Sequence, residues 1–132
     1  MAINGSCHCG QVRIQAPYAP QWVASCNCSM CRRTGTLMAY YDRAEVTVTG
    51  ETVPYLTGDR FIETHHCPHC ACITNWIAAA GVEERGLSAQ DLQFLTARTG
   101  INARLLDGFA LSEAGPTFDG RPLEVRFRDN AG

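Results

Sequence analysis

The sequence holds no long apolar run, no run of basic residues, and no basic start followed by an apolar stretch. The first absence excludes a membrane-spanning helix, which needs about 20 consecutive apolar residues. The second argues against nucleic-acid binding through a charged surface: Lys and Arg total 11 against 13 acidic residues, and the formal net charge is -2. The third leaves MAINGSCHCG without the form of a secretory signal, so the chain is expected in the reducing cytoplasm. Helical periodicity is scarce as well, which turns attention to strands.

At 132 residues the chain is long enough for one domain with a real core, and we read 1–132 as a single unit. QVRIQA (11–16) alternates, with Val12 and Ile14 on one face. QWVAS (21–25), TLMAYY (36–41), EVTVTG (45–50), VPYLTG (53–58), FIETHH (61–66) and CITNWIA (72–78) continue the strand pattern, as does DLQFLTA (91–97). Gly, Pro, Asn and Asp punctuate these segments, with a turn at Gly58-Asp59, which predicts a mainly β fold of antiparallel sheets with little helix. SMCRRTG (29–35) predicts one helical turn with Ser29 as N-cap and Gly35 near its end. LSAQDLQFL (87–95) reads either way, since Ser88 and Asp91 resemble a capping box while Leu92, Phe94 and Thr96 suit a strand. INARLLDG (101–108) reads as a short helix or turn. The tail, 109–132, is rich in turn residues and reads as peripheral, with LEVRF (123–127) as an edge strand.

Eight cysteines are the strongest signal. Seven fall in three groups: Cys7 and Cys9 in CHC, Cys26, Cys28 and Cys31 in CNCSMC, and Cys67 and Cys70 in CPHC. Cys-x-x-Cys on a tight turn is a zinc half-site, because its sulfurs converge at about 2.3 Å from one metal. Cys-x-Cys places both sulfurs on one face of a strand, a poor disulfide but a serviceable pair of ligands. Cys7 and Cys9 with Cys67 and Cys70 complete a closed four-thiolate site. The remaining trio, Cys26, Cys28 and Cys31, then offers three ligands and an open fourth position, the arrangement of a catalytic zinc. Two alternatives stay open: disulfides in an exported domain, and two purely structural zincs with Cys72 or a histidine as the eighth ligand. Cys72 fits a place near either metal, or a packing role.

Other side chains carry weaker signals. His8 and His69 read as spacers or as donors to thiolate, and one of His65 and His66 faces the site. Arg32 and Arg33 follow the trio directly. A guanidinium there would offset thiolate charge and could hold a substrate carboxylate, though a solvated arginine pair fits as well. Trp22, Tyr40, Tyr41, Tyr55 and Trp76 read as core.

GSCHCGQVRI, CNCSMCRRTG, HHCPHC and INARLLDG together resemble the glutathione-dependent formaldehyde-activating family, which shares its domain with centromere protein V. The resemblance runs from about residue 5 to 108. It implies a β-tent fold of small antiparallel sheets. It implies a structural zinc on Cys7, Cys9, Cys67 and Cys70 and a second, more labile zinc on Cys26, Cys28 and Cys31. It also implies a carbon–sulfur lyase activity that joins glutathione to formaldehyde, giving S-hydroxymethylglutathione. A thiol at an open zinc loses its proton readily, and zinc can polarise a carbonyl, so the chemistry agrees. Where the family has Gly after its last cysteine, this chain has Ala71 and then Cys72. Alanine would strain a left-handed backbone at 71, and Cys72 near the trio would close its vacancy. The leading expectation is a zinc enzyme acting on a thiol–aldehyde adduct, with Arg32 or Arg33 orienting an anionic substrate and a homodimer through a strand edge left open. The rivals are a noncatalytic zinc module for a protein partner and a thiol redox or metal sensor.

Overall fold

The structure, a computed structural model, describes residues 1–57, 60–109 and 116–118, the last three as backbone only. Among the described residues ten strands form two sheets. The smaller, in the order β1-β2-β5, contains β1 (Ile3–Ser6), β2 (Arg13–Ala16) and β5 (Thr47–Thr49), all antiparallel. The larger runs β10-β3-β4-β9-β8-β7-β6. Its strands are β3 (Val23–Ser25), β4 (Met38–Asp42), β6 (Val53–Leu56), β7 (Ile62–His66), β8 (Ile73–Ala78), β9 (Arg98–Asn102) and β10 (Pro116–Phe118). Every pairing in it is antiparallel except β10 with β3. Two helices, α1 (Ser29–Thr34) and α2 (Ala89–Ala97), complete the mainly β architecture. Among the described residues no helix is long and apolar enough to cross a membrane.

Period-two alternation builds the core. On β2, Ile14 and Ala16 are buried while Arg13 and Gln15 are exposed. They meet Val23, Ala39, Tyr41 and Ile101 from the larger sheet, with Ala103 and Leu106 beside them. Val23 and Ile101 are fully buried, and each such side chain contributes about 1.5–3 kcal/mol. Ala39 lies opposite Ile101, and Tyr41 opposite Thr99, so these residues share one face of β4 and β9. That face packs on the smaller sheet. Met38 and Tyr40, the alternate residues of β4, therefore point to the other side.

Three local expectations change. DLQFLTA is helical, because Ser88 Oγ accepts the Asp91 N–H at 3.1 Å and caps α2. The N-cap of α1 is Cys28, not Ser29: Cys28 has extended backbone and its sulfur accepts the Cys31 N–H. INARLLDG begins inside β9, and only Ala103–Leu105 makes a 3-10 turn, with the Asn102 side chain accepting the Arg104 N–H at 3.3 Å. The Gly58-Asp59 turn and the 123–127 strand lie outside the described residues.

Candidate metal centres and the cavity beside one of them

The two short cysteine turns are built alike. After β1, the Gly10 N–H donates to the Cys7 carbonyl at 3.1 Å, and the Val12 N–H donates to Cys7 Sγ at 3.3 Å. After β7, the Ala71 N–H donates to the Cys67 carbonyl at 2.9 Å, and the His69 N–H donates to Cys67 Sγ at 3.4 Å. Backbone donors aimed at sulfur stabilise thiolate charge. Ala71 has φ 66°, the left-handed backbone suspected from its place after Cys70.

The two turns meet. Sγ of Cys7, Cys9, Cys67 and Cys70 all lie within 4.8 Å of one another. Cys7 to Cys9 and Cys9 to Cys67 are both 3.6 Å. Tetrahedral zinc with bonds of about 2.3 Å has sulfur–sulfur edges of about 3.8 Å, so the donor set fits that ion. A disulfide needs about 2.05 Å, and all eight cysteines are free. Cys7 and Cys67 are buried with Val12, and Cys70 and Cys72 pack against them. The Cys70 thiol is brought down to about 5, first by the Cys72 N–H and then by that of Cys9.

Cys26, Cys28 and Cys31 form the second set, also within 4.8 Å of one another. Cys26 directly follows β3, Cys28 caps α1 and Cys31 sits in its first turn. The Cys28 N–H donates to Cys26 Sγ and the Cys31 N–H to Cys28 Sγ, both at 3.3 Å. Hydrogen bonds from the Cys26 and Cys31 thiols bring Cys28 down to about 2 against its burial. Cys26 rises to about 11, chiefly through Cys28, and Cys31 rises further through both neighbours. Three sulfurs converging with backbone donors on two of them could hold a metal ion, and zinc suits their softness.

Cys72 belongs to neither set. It lies beside the first and outside the second, so it does not close the trio. Among the described residues no histidine joins either set. His8 and His69 are exposed. His65 is engaged elsewhere, with Nδ1 2.7 Å from Thr52 Oγ1 and Nε2 3.3 Å from Glu63 Oε1.

The two sets differ in what surrounds them. Cys26, Cys28 and Cys31 all line a cavity of about 700 Å³, and the other four ligand candidates do not. The cavity lies on the outer face of the larger sheet, opposite the core. Tyr40, Trp76 and Tyr55 form its floor, α1 lies at one end, and α2 contributes Asp91, Phe94 and Leu95. Arg33 lines it. Arg32 does not, and its Nε donates to the Asn27 carbonyl at 3.0 Å. Arg98 lines it too, its guanidinium 5.0 Å from the Phe94 ring centroid.

Sequence reading assigned five aromatics, Trp22, Tyr40, Tyr41, Tyr55 and Trp76, to the core. Only Tyr41 is there, 2% exposed, its hydroxyl donating to the Tyr18 carbonyl at 2.9 Å. Trp22, Tyr40, Tyr55 and Trp76 line the cavity. The available signal was β4 itself, apolar on both faces in LMAYY, which means both faces of that strand are covered by something.

Residues 2–92 match the sequence family described as "Glutathione-dependent formaldehyde-activating enzyme" and include every cysteine of both sets. The chain belongs to this family. A crystal structure of a Rhodobacter sphaeroides protein, a structural genomics target, covers 87% of this chain and 97% of its own at 22% identity and TM-score 0.65. That likeness shows a shared fold. No curated protein matches the chain. As a member of the glutathione-dependent formaldehyde-activating family, the chain carries both cysteine sets within the matched residues.

Proposed function

We propose that the protein is a zinc enzyme of carbon–sulfur lyase type that forms or processes a thiol–aldehyde adduct such as S-hydroxymethylglutathione. One observation carries this reading: the three-sulfur set opens on a cavity, while the four-sulfur set does not. The set of Cys7, Cys9, Cys67 and Cys70 is then structural, and that of Cys26, Cys28 and Cys31 is the working site. Zinc in the working site would supply Lewis acidity toward a thiol or a carbonyl oxygen.

The chain's own residues do the rest. The N–H groups of Cys28 and Cys31 spread the negative charge of the trio. Arg33 lies two residues past Cys31 and lines the cavity, where it can pair with a carboxylate of the thiol substrate. Arg32, committed to Asn27, serves the loop that holds the trio. Aromatic walls exclude water and hold the two reactants together. In the reaction the thiol sulfur bonds to the carbonyl carbon. The π pair of the C=O bond moves to oxygen, which takes the thiol proton. No oxidant or reductant is needed.

The test is exchange of ¹³C-formaldehyde with glutathione, followed by NMR, on zinc-loaded protein. The expected outcome is exchange faster than in buffer, two zinc ions per chain, and loss of one zinc and of the acceleration in Cys26→Ser. Exchange no faster than buffer overturns the enzyme reading. Two tight zincs indifferent to glutathione, with no turnover, would indicate a binding module instead.

A further inference from the structure

We propose that the carbonyl substrate is a bulky apolar aldehyde, aromatic or of medium chain length. Its body lies along the aromatic floor of the larger sheet, and its carbonyl end reaches Cys26, Cys28 and Cys31. This deepens the reaction class proposed above and rests on it.

Strand register makes the floor. Tyr40 lies opposite Gly100, Gly100 opposite Trp76, Trp76 opposite Thr64, and Thr64 opposite Tyr55. Residues directly opposite one another share a face, so one row of side chains crosses five strands. Gly100 leaves a gap in that row, and the Trp76 indole occupies it: a Cβ on Gly100 would collide with Trp76 Nε1. The ring centroids of Tyr40 and Trp76 are consequently 6.3 Å apart, and Trp22 extends the row 5.8 Å beyond Tyr40. Trp22, Tyr40 and Trp76 thus form a continuous aromatic row that shares the cavity with the trio.

Size and polarity then select the ligand. A cavity of about 700 Å³ far exceeds formaldehyde, whose two heavy atoms take up about twice the ~30 Å³ of a water molecule. Trp22, Tyr55 and Phe94 at its margin are 51%, 38% and 64% exposed. Large apolar side chains gathered round one cavity mark a binding site for apolar matter. The charged lining residues are few: Arg33, Arg98 and Asp91, of which Arg33 stands beside the trio. Glutathione carries two carboxylates and an ammonium group, which suit the arginine end and not the aromatic floor. The floor is left for the aldehyde. The products differ from the formaldehyde adduct only in the group on carbon: sulfur bonds to the carbonyl carbon, and the thiol proton ends on oxygen.

Unreactive alcohols report the binding separately from the chemistry. Straight-chain alcohols from butan-1-ol to octan-1-ol are titrated into zinc-loaded protein by calorimetry. Tryptophan fluorescence gives a second readout, since both tryptophans of the chain line the cavity. Kd is expected to fall about fourfold per methylene. Trp76→Ala and Phe94→Ser should flatten the series, and Val53→Thr, outside the cavity, should not. Phe94 is exposed on α2, so Phe94→Ser carries the test if Trp76→Ala fails to fold. With glutathione present, octanal should react with a kcat/KM at least tenfold above that of formaldehyde. A flat alcohol series, or a steep one that survives both cavity variants, overturns the proposal. A flat series with formaldehyde turnover overturns it alone and leaves the reaction class standing. A steep series without turnover of either aldehyde overturns the reaction class and this assignment together. A dimer by sedimentation with a flat series overturns it in favour of a second copy seated on the floor.

Discussion

Ala71 holds a backbone that L-residues avoid. Its φ of 66° closes the turn that aims Cys67 and Cys70 at their partners, and an alanine there costs about 1 kcal/mol relative to glycine. Ala71→Gly should therefore raise stability by about 1 kcal/mol, read from the denaturant midpoint of the zinc-loaded protein at unchanged slope. Tyr41 stores a different dependence. Burial, and then its neighbour Tyr18, pushes its phenol up to about 12 from 10. Above pH 10 the unfolded chain loses this proton before the folded one does, so the unfolded state binds fewer protons and stability falls as pH rises. About 2 kcal/mol should be lost between pH 10 and 12. Tyr41→Phe should remove that slope while costing about 1 kcal/mol through the lost hydrogen bond to the Tyr18 carbonyl. Equilibrium unfolding at a series of pH values checks both.

Among the elements, β9 has the most to lose from a single methyl group. Gly100→Ala would ordinarily favour a strand, but here the new Cβ meets the Trp76 indole. The ring must leave the floor, at about 1–3 kcal/mol. Chemical denaturation should show that loss, and near-UV circular dichroism should show a changed tryptophan environment. The same strand marks where sequence reading stops. β2 is legible because it alternates cleanly, Ile14 and Ala16 against Arg13 and Gln15. β9 is not, because Gly100 and Asn102 look like punctuation until Tyr40 and Trp76 flank the first and the second donates its amide to the Ile73 carbonyl. α2 is ambiguous because Leu92 and Phe94 keep strand spacing, while one hydrogen bond from the Asp91 N–H to Ser88 decides for helix. The grouping of seven cysteines into two convergent sets is legible from their spacing, and the place of Cys72 is not. The cavity is not: periodicity says which residues share a face of β4 and is silent on what covers it.

At the scale of the whole molecule, the two cysteine sets should fail differently. Cys7 and Cys9 lie on the turn between β1 and β2 in the smaller sheet, and Cys67 and Cys70 on the turn between β7 and β8 in the larger. An ion held among them fastens one sheet to the other, with a free energy of about 10 kcal/mol or more for a structural zinc. Cys67→Ser should abolish cooperative unfolding, since Cys67 is fully buried at that junction. Cys26→Ser should unfold within a few degrees of the parent while losing one zinc. Thermal unfolding paired with elemental analysis separates the cases, and equal destabilisation by both substitutions would refute the division of labour. The β6 margin of the larger sheet is blunted by Pro54, which has no N–H to offer another chain.

The separation of Cys9 from Cys67 by 58 residues also sets a clock on biosynthesis. Translation at about 5–20 residues per second delivers the later half of that junction about 3–12 s after the earlier one. Cys26, Cys28 and Cys31 leave the ribosome almost together in the interval. The nascent chain thus completes its three-cysteine cluster first, and the four-sulfur set that spans its two sheets only once more than half of its length has been made.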